Sequence, residues 1–456
     1  MNEVRAEQYN FETNSTASTT ADPASVAAND MAPITTAVVV KPTSSPSRRK
    51  LSSSRVASLK TVNRLAPNMA VYHGTAAAHP IWQVPSPGII LSSKRAVANY
   101  QAIQRAFPYA TVGYTVKSNP HPQLLEALSH IEDSHYEVAS QQEIEALIKI
   151  GVPGSRIFYS NPVKQMSHIR AAVSMGVTQF AFDSENEVEK LASFGLPLEV
   201  YVRMTVPHVG ALWPLTHKFG VEPLKAVSLL KLAQERGLKP VGIAFHVGSQ
   251  CTRADTWSDA LHAVAPAWQM AREAGIELDL IDLGGGFPAP YFNPVMHPRD
   301  VAAVVTPLLE KCVPGARRVF LEPGRGVSAT AADMVLEVTG VAERPDGQTW
   351  LYLDGGVFSG LYEIPDGVRP QVMPVIRDSR PLGMRTYRLA GPTCDSMDTL
   401  FEMRSPVELK EGDRLVLKHC GAYVYSVGSP FNGFPLPTTV EDSEWMINLD
   451  EFVGMC

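Results

Sequence analysis

Five cysteines in 456 residues are too few and too scattered to staple a fold. Cys251, Cys312, Cys394, Cys420 and Cys456 are odd in number and lack CxxC spacing. That argues against a disulfide framework or a zinc site and for a reducing, cytoplasmic compartment. Basic excess is missing as well. The chain sets 40 Lys and Arg against 46 Asp and Glu, a formal net charge of −6, without the basic balance that nucleic-acid partners demand. No apolar run approaches the ~20 residues needed to cross a bilayer, so no membrane partner is expected. There is no GxSxG elbow, no His/Cys cluster at metal-ligand spacing and no carboxylate-rich Mg²⁺ loop, so no metal is expected either. What remains is a globular composition, 45% hydrophobic and 19% charged, long enough for about two or three domains. An enzyme acting on a small molecule fits it best.

The first sixty residues differ from the rest. They carry 17 Ser and Thr, few large apolar residues and a basic stretch, Arg48-Arg49-Lys50. Residues 1–70 therefore read as a disordered tail that buries too little apolar surface to offset its ordering entropy. A transit peptide is the alternative, opposed by Glu3, Glu7 and Glu12. Residues 71–92 form a lead-in. From there, eight β-branched or aromatic runs alternate with amphipathic helical stretches: 111–117, 135–140, 156–161, 179–184, 198–204, 241–248, 279–286 and 318–324. Helical patterns fill the gaps at 122–131, 141–150, 166–175, 185–194, 223–236, 256–274 and 298–312, and several stop at a glycine. Strand, helix, strand at this spacing implies right-handed crossovers and a parallel sheet. Eight repeats predict an α/β fold, a closed (β/α)8 barrel over residues 93–330, with an open doubly wound sheet as the competing architecture. After Arg325 the period changes. Runs at 333–344, 349–354, 385–390 and 414–426 predict a mostly antiparallel β domain over residues 331–456, which the lead-in would join.

The barrel runs end in polar residues: Lys117, Glu137, Asn161, Asp183, Arg203, His246 and Ser249, then Gly284-Gly285-Gly286, Glu322 and Arg325. In such barrels the reactive groups sit at these strand ends. One lysine there is ordinarily a solvated residue, but a ring of such groups is hard to attribute to packing. A desolvated lysine on a rigid strand suits Schiff-base chemistry with a carbonyl. The glycine turn lets backbone N–H groups approach an anion, and Arg325 adds a fixed cation. Lysine, phosphate cradle and a carboxylate able to pair with a pyridinium nitrogen describe a site for pyridoxal 5′-phosphate.

Four motifs, Tyr114–Asn119 (YTVKSN), His246–Gln250 (HVGSQ), Gly284–Pro288 (GGGFP) and Glu322–Arg325 (EPGR), resemble those of the ornithine/diaminopimelate/arginine decarboxylase family. Residues 156–165 (RIFYSNPVKQ), 391–398 (GPTCDSMD), and Gly421-Ala422-Tyr423 followed by Phe431–Phe434 (FNGF) extend the likeness over roughly residues 85–440, nearest to the ornithine branch. Members are pyridoxal-phosphate enzymes with the alanine-racemase-like fold, a barrel plus a β domain. The resemblance implies that Lys117 holds the cofactor, His246 stacks on its ring and Glu322 keeps the ring nitrogen protonated. It further implies that Ser249, Gly284, Gly285, Gly286, Pro323, Gly324, Arg325 and Tyr423 are phosphate or cofactor contacts. Arg203 would be a buried arginine near the ring, Glu143 a supporting carboxylate, and Glu137 stands where the eukaryotic ornithine enzymes carry Asp. Cys394 and Asp395 resemble a pair inserted by the partner subunit of a homodimer, the Cys for protonation and the Asp for the substrate's distal amine.

Glu363 and Asp366 compete for a second acidic contact to that amine, and a solvated turn carboxylate is the ordinary alternative for each. The expected reaction is decarboxylation of a basic amino acid, L-ornithine to putrescine foremost. Lysine or another diamino acid is the alternative, since one methylene is worth only about 1–3 kcal/mol of discrimination. An inactive regulatory binding protein of the antizyme-inhibitor kind is a further alternative, opposed by the presence of Lys117, Glu322, Arg325 and Cys394. The segment Val206–Leu215 (VPHVGALWPL) is expected to shape the pocket mouth.

Overall fold

The computed structural model describes residues 72–73, 80–215, 218–378 and 380–442. The tail assigned to residues 1–70 and Cys456 lie outside the described residues. Eight parallel strands close into a barrel: Ala110–Thr115, His135–Val138, Ile157–Tyr159, Gln179–Phe182, Glu199–Arg203, Lys239–Ala244, Leu280–Asp282 and Arg318–Leu321. The eighth pairs with the first, Val319 opposite Ala110 and Leu321 opposite Val112, so the open-sheet alternative is excluded.

Closure leaves an interior only as wide as its side chains. Phe158, Ala181, Tyr201, Val241, Ala244, Leu280 and Phe320 fill it, with the Phe158 and Phe320 rings stacked 3.7 Å apart. The filling alternates large with small. A Cβ on Gly113 would sit 2.2 Å from the Phe320 ring, so that position takes no side chain.

Seven outer helices follow the expected patterns, from Pro122–Ser129 through Pro298–Cys312, and Ser93–Ala106 precedes the first strand. Their limits have local causes. Ser140 and Ser184 cap the helices Gln141–Lys149 and Glu185–Ala192 by accepting from the N–H groups of Glu143 and Glu187. At the other end Gly151 adopts φ +87°, the left-handed conformation that stops a helix.

The β domain is built on Ala332–Glu343, which pairs antiparallel with Gly88–Leu91, Arg414–Leu417 and Thr349–Leu353. Three pairings are parallel instead: Thr349–Leu353 with Leu382–Ala390, Thr438–Glu441 with Gly88–Leu91, and Tyr72–His73 with Val372–Ile376. The sheet is therefore mixed but mostly antiparallel. Two of its strands, Val372–Ile376 and Thr399–Val407, were not expected from sequence, because Pro374 and Pro406 interrupt them.

The run 414–426 is a correction. The strand stops at Leu417, and left-handed residues His419 (φ +63°) and Tyr423 (φ +65°) turn the chain back toward the barrel. There Gly421 N–H donates to Ala329 O, and Tyr423 N–H to Ser118 O at 2.6 Å. Among the described residues no helix is long and apolar enough to cross a membrane.

Truncating the stacked interior ring, Phe320→Ala, is expected to cost about 3–5 kcal/mol of stability, read from denaturant unfolding. A loss below about 1 kcal/mol would mean the barrel interior tolerates the cavity.

Candidate active site

The barrel strands end earlier than their sequence runs, and apart from Glu137 and Arg203 the polar residues stand on the loops that follow. Lys117 lies in a short helical turn, Val116–Ser118, directly after the first strand. Its Nζ donates to Glu137 Oε2 at 2.8 Å. Glu137 is buried on the second strand, whereas the lysine side chain is half exposed to the cleft above. Burial disfavours the ammonium, but the charges of Glu137, Tyr423 and Glu322 outweigh it and hold the amine above its ordinary value.

The cleft, about 500 Å³, is lined by Lys117, Pro120, Gln142, Glu143, Tyr423 and Val427 among others. Glu143 Oε2 accepts from Ala139 N–H at 2.6 Å, a contact set by the helix cap at Ser140. Burial, with a smaller push from the Glu137 charge, raises this carboxyl to about 7.

His246 follows the sixth strand. Its Nδ1 accepts from Gly248 N–H at 2.9 Å, which places the proton of the neutral ring on Nε2. Burial, then the charges of Arg203 and Lys117, push the imidazole down to about 3, so it is neutral at physiological pH. A Cβ on Gly285 would lie 3.0 Å from His246 Nε2 and 2.5 Å from Glu322 O. The bare Cα thus keeps the space beside the imidazole open. Arg203 ends the fifth strand half-buried, where the resemblance implies a buried arginine, with its guanidinium 5.4 Å from the Phe219 ring.

Glu322 follows the eighth strand. Burial, with Glu137 adding to it, raises its carboxyl above the ordinary range, and Oε1 is buried without a hydrogen-bond partner. Pro323 O accepts from Thr115 N–H at 3.1 Å and ties this loop to the one carrying Lys117.

The opposite end of the site is built around a buried ion pair, Arg325 with Glu363. Arg325 is held by Ser249 Oγ at 3.1 Å, Tyr291 OH at 2.6 Å and both oxygens of Glu363 at 2.6 and 2.7 Å. The Trp213 and Tyr423 rings lie 5.0 and 4.9 Å from its guanidinium carbon. Gly284 and Gly286 have φ of +65° and +100°, and a Cβ on Gly286 would lie 2.7 Å from Gly248 O. Gly324 packs against Ser118. Gln250 brackets Ala289, donating to its carbonyl at 2.7 Å and accepting its N–H at 2.9 Å, which locks the HVGSQ turn to the GGGFP turn.

The remaining sequence-derived residues stand apart. Cys394 is exposed, its N–H donating to Asn432 Oδ1 at 3.1 Å, which joins GPTCDSMD to FNGF. Asp395 Oδ1 accepts from Met397 N–H, and neither residue hydrogen-bonds the Lys117 cluster within the chain. Glu363 is engaged by Arg325, while Asp366 is exposed on the following turn. Sequence reasoning missed Tyr291, Trp213 and Asp282. Trp213 lies within Val206–Leu215, whose strand Ala211–Trp213 pairs with Ser249–Cys251. Tyr291 follows GGGFP by three residues, a signal that was there to find.

A lysine amine, an unpartnered carboxylate oxygen, a neutral imidazole beside open space and a glycine-lined arginine fit pyridoxal phosphate. Barrel, β domain and this donor set together define a pyridoxal-phosphate enzyme. The profile of the pyridoxal-dependent decarboxylase, pyridoxal binding domain, matches residues 94–329. The lysine/ornithine decarboxylase of Selenomonas ruminantium is 35% identical over 364 residues, 78% of this chain and 90% of that protein. The ornithine decarboxylase of Mus musculus is 31% identical over 73% of this chain and 75% of its own length. Among solved structures, the lysine/ornithine decarboxylase of Vibrio vulnificus complexed with cadaverine aligns with a TM-score of 0.72 at 30% identity, over 79% of this chain and 95% of that one. The chain belongs to the ornithine/arginine/diaminopimelate decarboxylase family of pyridoxal-dependent enzymes. It is a basic amino-acid decarboxylase by family.

Purified protein is expected to carry the visible absorbance of its covalently held cofactor, and Lys117→Ala to abolish it; an unchanged spectrum contradicts the assignment of that lysine. Gly285→Val, crowding His246, is expected to weaken cofactor binding about tenfold to a hundredfold.

Proposed function

We propose that the enzyme releases CO₂ from L-ornithine to give putrescine, in a homodimer whose active sites are shared between subunits. The cofactor, when bound, supplies the electron sink for the bond pair left behind by the departing carboxyl carbon. Lys117 would hold it covalently. The Glu322 carboxylate would face its ring nitrogen, neutral His246 its ring face, and Arg325, Ser249, Gly286 and Gly324 its phosphate. Lys117 Nζ takes up and returns the proton exchanged when substrate and product amines come and go, with Glu137 as its fixed counter-ion. Cys394 Sγ of one subunit donates the proton that replaces CO₂ on the substrate carbon held by Lys117's subunit. Asp395 pairs with the distal ammonium of the substrate.

The observation that carries the reading is the Lys117 amine, held by buried Glu137 and open to the cleft. The homodimer is supported by the exposed Cys394 and by exposed apolar neighbours on the same motifs, Met397, Phe431 and Phe434. Preference for ornithine rests on the Cys394-Asp395 pair and on the ornithine decarboxylases among its relatives. A dual preference for lysine is the second reading, favoured by the 35% identity to a lysine/ornithine enzyme. A cytoplasmic location accords with the four free thiols among the described residues.

CO₂ release measured with ornithine, lysine, arginine and diaminopimelate supplied separately is expected to be fastest with ornithine, with lysine behind it by no more than about 10–200-fold. Faster turnover of arginine or diaminopimelate overturns the reading. Mixing Lys117→Ala with Cys394→Ala chains is expected to restore up to about a quarter of native activity, because half the dimers then hold one intact site. Complete absence of recovery counts against sharing.

A further inference from the structure

Behind Glu322 lies a second carboxyl group that the reaction as described does not use. Asp282 ends the seventh barrel strand, hydrogen-bonded beside the eighth, with Asp282 opposite Phe320. The two following loops are joined by Glu322 N–H donating to Gly284 O at 2.9 Å. Asp282 is 1% exposed. Its Oδ1 accepts from Gly284 N–H at 2.8 Å, while Oδ2 is buried without a donor. Glu322 Oε1 is likewise buried without one, and the two carboxyl groups project from adjoining strand ends.

Two carboxyl groups on adjoining strand ends, each with a buried oxygen that lacks a donor, are relieved when one carries a proton and donates it to the other. The surroundings decide which. Glu322 has the positive charges of Lys117 and Arg203 and the Ser160 hydroxyl to stabilise its anion. The groups facing Asp282 are Glu322, Glu137 and Tyr201, with the Gly284 N–H as its sole favourable partner among them. The proton therefore belongs on Asp282.

We propose that Asp282 is a positioning residue, a neutral carboxylic acid that donates a hydrogen bond to Glu322 and leaves the Glu322 carboxylate free to face the cofactor's ring nitrogen. The proposal rests on the reading of Glu322 as the partner of that nitrogen. Burial, with the Glu322 charge adding to it, raises the Asp282 carboxyl well above the ordinary carboxylate range. The consequence is chemical. A donor behind Glu322 makes it a weaker base, so a proton shared with the ring stays on the ring, where it strengthens electron withdrawal.

The test uses holoenzyme loaded with cofactor ¹⁵N-labelled at the ring nitrogen, read by NMR beside turnover. Asp282→Leu is expected to move the nitrogen signal toward that of a neutral pyridine and to lower kcat on the order of 10²-fold. Asp282→Asn, which keeps both an acceptor for Gly284 and a neutral donor for Glu322, is expected to return the signal to its native position and recover most of the loss. An Asn variant as displaced as the Leu variant would show that native Asp282 is ionised and overturn the proposal. Glu322→Gln separates the two layers. If it leaves the nitrogen signal in place, the reading of Glu322 fails; if it moves the signal while Asp282→Leu does not, the role of Asp282 fails. Should Asp282→Leu not fold, ¹³C-labelled aspartate in native holoenzyme decides, with the Asp282 resonance assigned by its absence from the Asn variant. A carboxylic-acid shift unchanged from about pH 6 to 9 supports the proposal, and a carboxylate shift overturns it.

Discussion

Three carboxyl groups, those of Glu137, Asp282 and Glu322, stand at the ends of the second, seventh and eighth barrel strands, and the ammonium of Lys117 pairs with the first. Negative charge in such a place must be met by a cation, a proton or a hydrogen-bond donor. Lys117 meets Glu137. The surplus makes this end of the barrel receptive to a positively charged N–H, and a protonated pyridine ring presents one. The same field bears on His246. With Arg203 and Lys117 nearby and Gly248 N–H on its Nδ1, the imidazole stays neutral and offers a flat face rather than a competing charge.

The opposite end is built around an oriented guanidinium. Arg325 is fixed by Glu363, Tyr291 and Ser249 and flanked by aromatic rings, so its guanidinium is oriented in advance of any anion. Lining that end, Gly284 and Gly286 have backbone conformations that side chains disfavour. A molecule with a cationic ring at one end and a phosphate at the other matches this arrangement lengthwise. The β domain completes the site from the side: Asn119 Nδ2 donates to Gly421 O at 2.8 Å, and Tyr423 reaches both Ser118 and the Arg325 guanidinium.

Much of this was legible in the sequence because its determinants are local. Helix limits followed from Ser140 and Ser184 at the starts and from glycines such as Gly151 at the ends. The eight barrel runs were found in order, though 241–248 overran its strand by four residues, since Phe245 and Val247 have strand-like chemistry but lie in the loop. What escaped notice depended on partners distant in the chain. Pro374 and Pro406 hid two strands whose pairing is supplied by neighbours. Asp282 sat inside an apolar run and looked like any strand residue until Glu322 was beside it. Glu363 was considered for a substrate contact from the family resemblance, and in the fold its carboxylate is taken up by Arg325.

The sheet that receives the chain's early strand also has a bearing on how the protein is made. Gly88 lies opposite Thr438, and Ile89 opposite both Thr439 and Met334. A ribosome has therefore delivered the entire barrel before Gly88–Leu91 can acquire either neighbour. Neighbouring barrel helices and strands form from contacts close in sequence, whereas this segment waits with its backbone groups unpaired until Ala332–Glu343 has been made. The assembly order this imposes is barrel first, sheet second, with the mouth of the cleft finished only when Tyr423 swings in from the late-arriving end.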